Sequence, residues 1–468
     1  MRLIPVLVCQ GSVFHEARRK VDRMKMYEKR QDVMAVIFAI LLLGGTSAQA
    51  QPGGSVPDSL PELRLSLREA MEAAVDNNPN VRLLKERIET ARAASKTQLG
   101  ALLPNLSTNV RQTRQNIFLG TIGLAPVRTD PFSIFDARAN VSQSLFSLSL
   151  IQRWRASREA LKVAELESET TKFDTMSAVG LLYIETLKAE ATVNTRNANM
   201  RLFEELLELA RSRRGGGMGT GLDTARLEAQ LENERQQLAA ARYEVERLKV
   251  NILHGLGFAF DVRLTLTDSL KLEVLEPPTV EEAVVAAMNQ RMEVKAQQQR
   301  IKTASLTLNS TETERIPSLA AQGDYGLIGN RMHNTLDTYN IGLFLTVPLF
   351  DGAREGRISE SRSQVNQETI RMRVVSNQVV LDVREALVTL SSAKEQLAIS
   401  QVGLQAALKE LALAKERFTV LTAGSNFEVT NALYSLSRAR DNTVDAMFRL
   451  NGARVNLARA LGELEKLN

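Results

Sequence analysis

Aromatic residues are scarce in this chain of 468 residues, which holds 15 Phe, 6 Tyr and 1 Trp. Such a low content argues against a large globular enzyme, because aromatic side chains supply much of the buried area in such cores. Alanine, leucine, glutamate, arginine and glutamine are abundant instead. That composition is typical of long helices and coiled coils.

Cysteine and histidine are also scarce, and this limits the chemistry that the chain can perform. The only cysteine is Cys9, and beyond residue 50 the histidines are His254 and His333. One cysteine forms no internal disulfide, and two distant histidines do not match a zinc-binding pattern. No Ser/His/Asp arrangement is apparent. We therefore predict no catalytic residue, no metal site and no cofactor.

The glycine-rich residues 215–221 superficially resemble a phosphate-binding loop. Such a loop needs a preceding strand and a Gly-Lys-Ser/Thr ending, and no lysine lies near this run. We interpret it as a turn between two long helices.

Residues 1–50 have the pattern of a secretory signal peptide. Basic residues precede an apolar run at 33–43, which is followed by a small-x-small site ending at Ala50. We predict cleavage after Ala50 and a linker over 51–62. An internal membrane anchor is the alternative, although the apolar run is shorter than the roughly 20 residues that a spanning helix needs. Because residues 1–23 precede an ordinary signal peptide, Met24 or Met26 is a candidate translation start.

Charge excludes nucleic acid as a partner. Residues 1–50 hold eight of the 59 Lys and Arg and four of the 54 Asp and Glu. The exported chain therefore has 51 basic and 50 acidic residues, a net charge of +1. It contains no basic block suited to a phosphate backbone.

An internal duplication organises the chain. Residues 66–106 align without a gap on 279–319, and the motif Leu256-Gly257 corresponds to Leu461-Gly462. Chance similarity between two Ala/Leu-rich helices does not explain these matches or the paired prolines Pro104 and Pro317. We predict two repeats, 63–257 and 279–468, joined by a linker at 258–278.

The sequence predicts the same order of elements in each repeat. A capping box opens the repeat (Ser66 with Glu69, Thr279 with Glu282), and two helices follow it. Two strands and two long helices complete each repeat. The predicted strands are 105–118, 135–147, 318–330 and 338–349, and the predicted long helices are 149–213, 222–257, 353–421 and 426–465.

The strands alternate between apolar and polar residues, which places one set on each face. In the last strand the apolar set includes every second residue from Tyr339 to Leu345, and Asn340 belongs to the other set. A half-buried soluble sheet is the alternative. Charges on the polar positions favour strands that cross a membrane around a water-filled lumen. The predicted lumen-facing residues are Asp136, Arg138, Asn140 and Asn340, and Asp324 is a further charge on this face.

Four such strands cannot close a barrel, because about eight is the smallest number known to do so. Open edges in lipid would leave backbone N–H and C=O groups without partners, at several kcal/mol each. The strands therefore predict a barrel that is shared between copies of the chain.

The long helices carry a seven-residue repeat. Alanines recur from Ala432 to Ala460 beside a leucine row that includes Leu436 and Leu450. A strict heptad indicates supercoiled helices. An ordinary antiparallel pair explains the leucines. The separate alanine row favours a helix with a partner on each side, as in a closed cylinder.

The sequence resembles the TolC family of outer-membrane efflux proteins over essentially all of 60–468. No single motif decides this, but their order behind a signal peptide is specific. The motifs are Asn78-Pro79, Leu103-Pro104-Asn105-Leu106, Val347-Pro348-Leu349-Phe350-Asp351-Gly352, the turn glycines Gly219 and Gly424, and Leu461-Gly462.

The resemblance implies a mainly α-helical fold with a membrane part: a homotrimer whose 12-stranded β-barrel continues into a periplasmic α-helical barrel. It implies an outer-membrane channel subunit of a tripartite efflux or type I secretion system, a passive conduit gated at its periplasmic tip. The implied partners are a periplasmic adaptor, an inner-membrane pump and the lipid bilayer. The implied pore constriction corresponds to Asp223, Glu428 and Asn431, of which Asn431 departs from the family's acidic pattern.

Two other classes remain open from the sequence. A non-conducting periplasmic coiled-coil protein would share the helices, and its exported chain would be soluble without detergent. A periplasmic adaptor would carry a lipoyl-like β-domain between its hairpin helices, and the sequence shows none.

Overall fold

The structure is a computed structural model that describes residues 61–272, 276–420 and 426–466. The predicted signal peptide, its cleavage site at Ala50 and most of the predicted linker at 51–62 lie outside the described residues.

The two halves of the chain contain the same order of long elements. The first half comprises β1 (Glu62–Leu65), α1 (Leu67–Asn77), α2 (Pro79–Gly100), β2 (Asn105–Gln115), β3 (Phe132–Phe146), α3 (Leu148–Gly215) and α4 (Gly221–Leu256). The second half comprises β4 (Arg263–Leu266), α5 (Val280–Gln290), α6 (Met292–Glu312), β5 (Ser318–Arg331), β6 (Asn334–Thr346), α7 (Gly352–Val420) and α8 (Asn426–Leu461). Short 3₁₀ helices occur at Leu119–Ile122, Thr313–Arg315 and Leu464–Lys466.

Both predicted capping boxes are confirmed at the start of the repeats. The Ser66 hydroxyl donates to Glu69 Oε2 at 2.8 Å, and the Thr279 hydroxyl donates to Glu282 Oε2 at 2.8 Å. Hydrogen bonds from the backbone and hydroxyl of these capping residues lower the pKa of both glutamates. The first turn of α1 and of α5 is thereby supplied with acceptors for its free N–H groups.

A short parallel pairing connects the segment before α1 to a segment of the linker between the repeats. β1 lies beside β4, with Glu62 opposite Arg263 and Leu65 opposite Leu266. The buried Tyr183 of α3 donates its hydroxyl to the Leu65 carbonyl at 3.0 Å. The sequence predicted neither strand, placing β4 in the linker at 258–278 and most of β1 in the first repeat, because four residues are too few to show a period of two.

The other four strands form one antiparallel sheet in the order β2-β3-β5-β6. Asp136 of β3 lies opposite Arg111 of β2, and Asn140 lies opposite Asp324 of β5. The β3–β5 pairing thus joins the two repeats. Within the described ranges the outer edges of β2 and β6 have no partner strand.

The helices α7 and α8 pack along a single apolar seam. Alternating large and small residues of α7, such as Val383 and Ala386, are buried against Ala446, Leu450 and other residues of α8. Both rows of the heptad therefore occupy the a and d positions of one coiled-coil seam. The alanine row lies in this seam with the leucines, because residues three apart lie on the same helix face. The predicted partner on the other side of α8 is α3, whose Met176 and Ile184 pack with Val455.

A second apolar cluster joins the two hairpins α3–α4 and α7–α8 near their far ends. Phe203, Leu206 and Leu227 of the first hairpin pack with Leu411 and Val429 of the second. The hairpins of the two repeats therefore form one packed unit within a single chain.

In the part of the chain that the structure describes, no helix combines the length and apolarity required to cross a membrane.

Candidate functional site

One face of the sheet carries the predicted lumen-facing side chains. Asp136, Arg138 and Asn140 alternate along β3, and Asp324 of β5 lies opposite both Asn140 and Asn340. Directly opposed residues share a face. The structure thus brings all four predicted lumen-facing residues to one face, which we call the polar face.

Arg138 is the centre of an ion-pair network on the polar face. Its Nε lies 2.8 Å from Asp136 Oδ1, and its Nη1 lies 2.6 Å from Asp324 Oδ1. Arg111 Nη2 lies 3.5 Å from Asp136 Oδ2. Two arginines and two aspartates make this network charge-balanced. Arg111 was not among the sequence candidates, because β2 alternates less clearly than the other strands.

A glycine makes room for Arg138. Gly326 of β5 lies opposite Arg138, and a Cβ added there would be 2.4 Å from the Ala137 carbonyl oxygen and 2.5 Å from Arg138 Cγ. Real Cβ atoms do not approach so closely. The missing side chain therefore lets the arginine lie across β5 toward Asp324.

The opposite face of the sheet is apolar and exposed in a single chain. Tyr325 and Tyr339 lie opposite each other, as do Gly323 and Ile341. Ile341 is 80% exposed and Leu343 is 69% exposed. An exposed apolar surface of this extent marks contact with another apolar phase or protein. The register thus places the predicted lumen-facing residues on one face and Tyr325, Tyr339, Ile341 and Leu343 on the other.

The far ends of the hairpins contain the predicted constriction residues. The turn between α3 and α4 passes through Gly217 at φ 77°, a conformation that favours glycine. Thr220 caps α4, and its hydroxyl lies 2.7 Å from Asp223 Oδ2. The predicted constriction residue Asp223 is therefore the acidic member of a capping box.

Glu428 and Asn431 lie in the first turns of α8. Glu428 Oε2 is 3.5 Å from Arg417 Nη1 of α7, and Asn431 is exposed. Gly424 and the turn that it was predicted to form lie outside the described residues. Each returning helix thus begins with one acidic residue that has a polar partner within its own hairpin.

An arginine joins the two hairpins at the same end. Arg213, at the end of α3, donates to the backbone carbonyl of Phe418 on α7, and its guanidinium lies 4.3 Å from the centre of the Phe418 ring. Sequence reasoning missed this contact. A basic residue in a last helical turn is a recognisable signal, but a partner on the other repeat leaves no local pattern.

A buried polar cluster links α3, α4 and α8 farther from the ends. Arg196 Nη2 donates to Asp441 Oδ2 at 2.7 Å, and Asn199 donates to the Ser437 hydroxyl at 2.8 Å. Glu234 lies 3.8 Å from Arg196, and its Oε2 is buried without a hydrogen bond. Burial raises the pKa of Glu234. Sequence reasoning missed this cluster, because its members come from three different helices.

Within the described ranges, no group of three or more His, Cys, Asp or Glu side chains is placed to hold a metal ion.

Comparison with known proteins decides the family. The family model described as outer membrane efflux protein matches residues 70–257 and 283–463. The chain belongs to this family. The two matched segments fall in the two halves described above, and the resemblance predicted from the sequence is confirmed.

Relatives and solved structures agree with this assignment. The chain is 24% identical over 383 residues to outer membrane efflux protein BepC of Brucella suis, covering 80% of this chain and 78% of BepC. It is 23% identical over 421 residues to alkaline protease secretion protein AprF of Pseudomonas aeruginosa, covering 82% and 83%. The Campylobacter jejuni CmeC outer membrane channel has the same fold, with a TM-score of 0.75, 17% identity and coverage of 85% and 86%.

The predicted fold class, outer-membrane location and channel function are confirmed by the family and its members. This family member is an outer-membrane channel protein of an efflux or secretion system. Its relatives are channel proteins rather than enzymes.

Proposed function

We propose that three copies of the chain form one passive conduit from the periplasm to the exterior. The four strands of each copy join edge to edge into a 12-stranded barrel, with the polar face toward the lumen and the apolar face toward lipid. The long helices continue the conduit into the periplasm, where an adaptor and an inner-membrane pump dock.

The observation that carries this proposal is the open sheet. The edges of β2 and β6 are unpaired in the described part of one chain, while Ile341 and its apolar neighbours are exposed. In a bilayer these edges need partners, because each unsatisfied backbone group costs several kcal/mol. A neighbouring copy supplies them. Two copies would reach the known minimum of about eight strands, and the number three rests on the family resemblance.

The helix α7 supports assembly independently. Beyond its buried seam with α8 it carries an exposed apolar row, Val374, Leu381, Val388 and Val402, at multiples of seven residues. A heptad spacing on an exposed face fits a second helical partner. In the proposed trimer that partner is a helix of the next copy.

The gate is proposed at the far ends of the hairpins. Three copies of Glu428 around one axis would bring three carboxylates together, and like charges repel most where water is scarce. The pairing with Arg417 reduces that repulsion. Asn431 is neutral, so each copy contributes fewer acids than the family pattern. Asp223 occupies the corresponding place in the first repeat.

The cargo class follows from the relatives only in outline. BepC is named for efflux and AprF for secretion of an alkaline protease. A passive conduit suits either kind of cargo, and the ion-pair network of Arg138 adds no net charge to its wall.

Native mass spectrometry of the detergent-extracted protein tests the proposal, together with conductance in planar bilayers. We expect a mass of three exported chains, a band that shifts on heating, and discrete channel openings. Recovery of a soluble monomer from osmotic-shock fluid would contradict it. A stable trimer that never conducts would favour the non-conducting coiled-coil alternative.

A further inference from the structure

Large apolar side chains project where the strands meet the long helices. Leu349 and Phe350, between β6 and α7, are each 90% exposed. Leu145 and Phe146, at the end of β3, are about half exposed. Since the strands are the part of the chain proposed to cross the membrane, these residues lie at its helix-side boundary.

Arginines surround this boundary on the helix side. We define the arginine collar as residues 148–158, 313–315 and 351–358. It contains six arginines, three carboxylates and no lysine, a net charge of +3. The first of the three segments contains three arginines and no acid. Arginine binds phosphate with two parallel N–H groups, which lysine cannot do.

The carboxylates of the collar are already occupied by part of its arginines. Arg357 lies 2.8 Å from Glu314 and 3.0 Å from Asp351. Arg153 also contacts Glu314. Arg315 lies 2.6 Å from Glu355. No acid of the collar is therefore left to neutralise further cations.

Two arginines of the collar keep their charge available. Arg155 and Arg158 are exposed on α3, and neither has a carboxylate partner among the described residues. The guanidinium of Arg158 lies 5.3 Å from the centre of the Trp154 ring. Trp154 is the only tryptophan of the chain, and tryptophan is enriched at membrane–water boundaries.

We propose that the arginine collar binds the phosphate groups of anionic phospholipids in the periplasmic leaflet of the membrane. The inference rests on the strands crossing the membrane, as proposed above. Charge complementarity and continuity with the apolar strand ends both favour lipid as the occupant. The N-terminal ends of α3 and α7 lie in the collar and add positive dipole charge.

Trp154 makes the proposal directly measurable. The purified full chain is reconstituted in mixed vesicles, in which either phosphatidylglycerol or phosphatidylcholine carries a brominated acyl chain that quenches tryptophan. We expect quenching to report about a fivefold enrichment of phosphatidylglycerol, the factor that one arginine near an anionic surface supplies. The enrichment should fall at high salt and should persist in the presence of inorganic phosphate.

Matched variants identify the cause. The double variant Arg155→Gln/Arg158→Gln should lose the enrichment, so that both lipids quench equally. Arg226→Gln/Arg242→Gln removes the same charge from exposed positions on α4 and should keep it. Comparing two lipids within one variant cancels any direct effect of Arg158 on Trp154 emission.

The outcomes separate the two proposals. Equal quenching by both lipids in the unaltered protein overturns the collar but leaves the channel intact. An enrichment that survives in Arg155→Gln/Arg158→Gln also overturns it, and loss in inorganic phosphate identifies a free-anion site instead. If neither lipid quenches Trp154, the collar does not lie at the bilayer surface and the inference is overturned, whereas conductance in planar bilayers tests the channel separately.

Discussion

Arg138 Nη1 donates a hydrogen bond of 2.6 Å to Asp324 Oδ1, and this bond connects a strand of the first repeat to a strand of the second. The two residues are 186 positions apart. Because β3 and β5 are the inner strands of the sheet, the ion pair lies where the two repeats meet. Its geometry depends on Gly326, beside which Arg138 passes.

We predict that Gly326→Ala weakens the sheet. The new Cβ would collide with the Ala137 carbonyl and with Arg138, a distortion that typically costs about 1–3 kcal/mol. Gly323→Ala is the control, because its Cβ would lie 3.5 Å from the nearest atom. The temperature at which the oligomer dissociates on a gel should fall for Gly326→Ala only. An equal shift for both variants would contradict this account.

We predict that an arginine on the apolar face blocks assembly. In Leu343→Arg or Leu345→Arg the charge would face lipid, at a cost of about 2–4 kcal/mol near the bilayer centre. Asn340→Arg is the control, because it lies opposite Asp324 on the polar face and would stay hydrated. The oligomer should be absent from the outer-membrane fractions of the two leucine variants and present in that of Asn340→Arg. Similar assembly of all three would mean that the two faces are misassigned.

We predict that Asp223→Ala/Glu428→Ala raises the resting conductance in planar bilayers. The change removes the capping contact with Thr220 and the ion pair with Arg417, which loosens the start of both returning helices. Sensitivity of cells to large antibiotics should rise in parallel. Glu246→Ala/Glu410→Ala removes the same charge at exposed positions on α4 and α7 and should change neither. Unchanged conductance of an assembled Asp223→Ala/Glu428→Ala variant would show that the two acids only favour helix starts.

We predict that Arg213→Lys also raises resting conductance, although it keeps the charge. Lysine lacks the planar group that stacks on Phe418 while donating to its carbonyl. Arg214→Lys is the control on the neighbouring exposed position. Single-channel recordings should show longer openings for Arg213→Lys alone. Identical opening times in the two variants would remove Arg213 from the gate.

We predict that Glu234→Gln stabilises the helical part at neutral pH. Burial raises the pKa of Glu234 in the folded chain, so the native state binds more protons than the unfolded state, and stability falls as pH rises. The gain from glutamine should therefore vanish below the ordinary glutamate pKa of about 4.3. Thermal unfolding followed by circular dichroism at several pH values measures this. Glu232→Gln, exposed on the same helix, should show no such trend, and a gain independent of pH would contradict the explanation.

Local patterns were sufficient to predict the long helices and the four long strands. The period of two along Tyr339–Leu345 and the heptads of α7 and α8 both arise from the geometry of one strand or helix. The observed β6 ends at Thr346, three residues before its predicted end, and α7 spans Gly352–Val420 against a prediction of 353–421. The ungapped alignment of 66–106 on 279–319 showed the duplication, and the capping boxes at Ser66 and Thr279 marked the helix starts, because a cap involves residues only three apart.

Tertiary structure alone decided which elements meet. The pairing of β1 with β4, the contact of Arg213 with Phe418 and the bond of Arg138 to Asp324 each join residues about 200 positions apart. The heptads also showed which residues are buried but not against what, so the alanine row was assigned to a second partner although it shares one seam with the leucines. A periodic pattern specifies a face of an element. Its partner depends on which distant faces can pack together at the same time, and no local spacing contains that information.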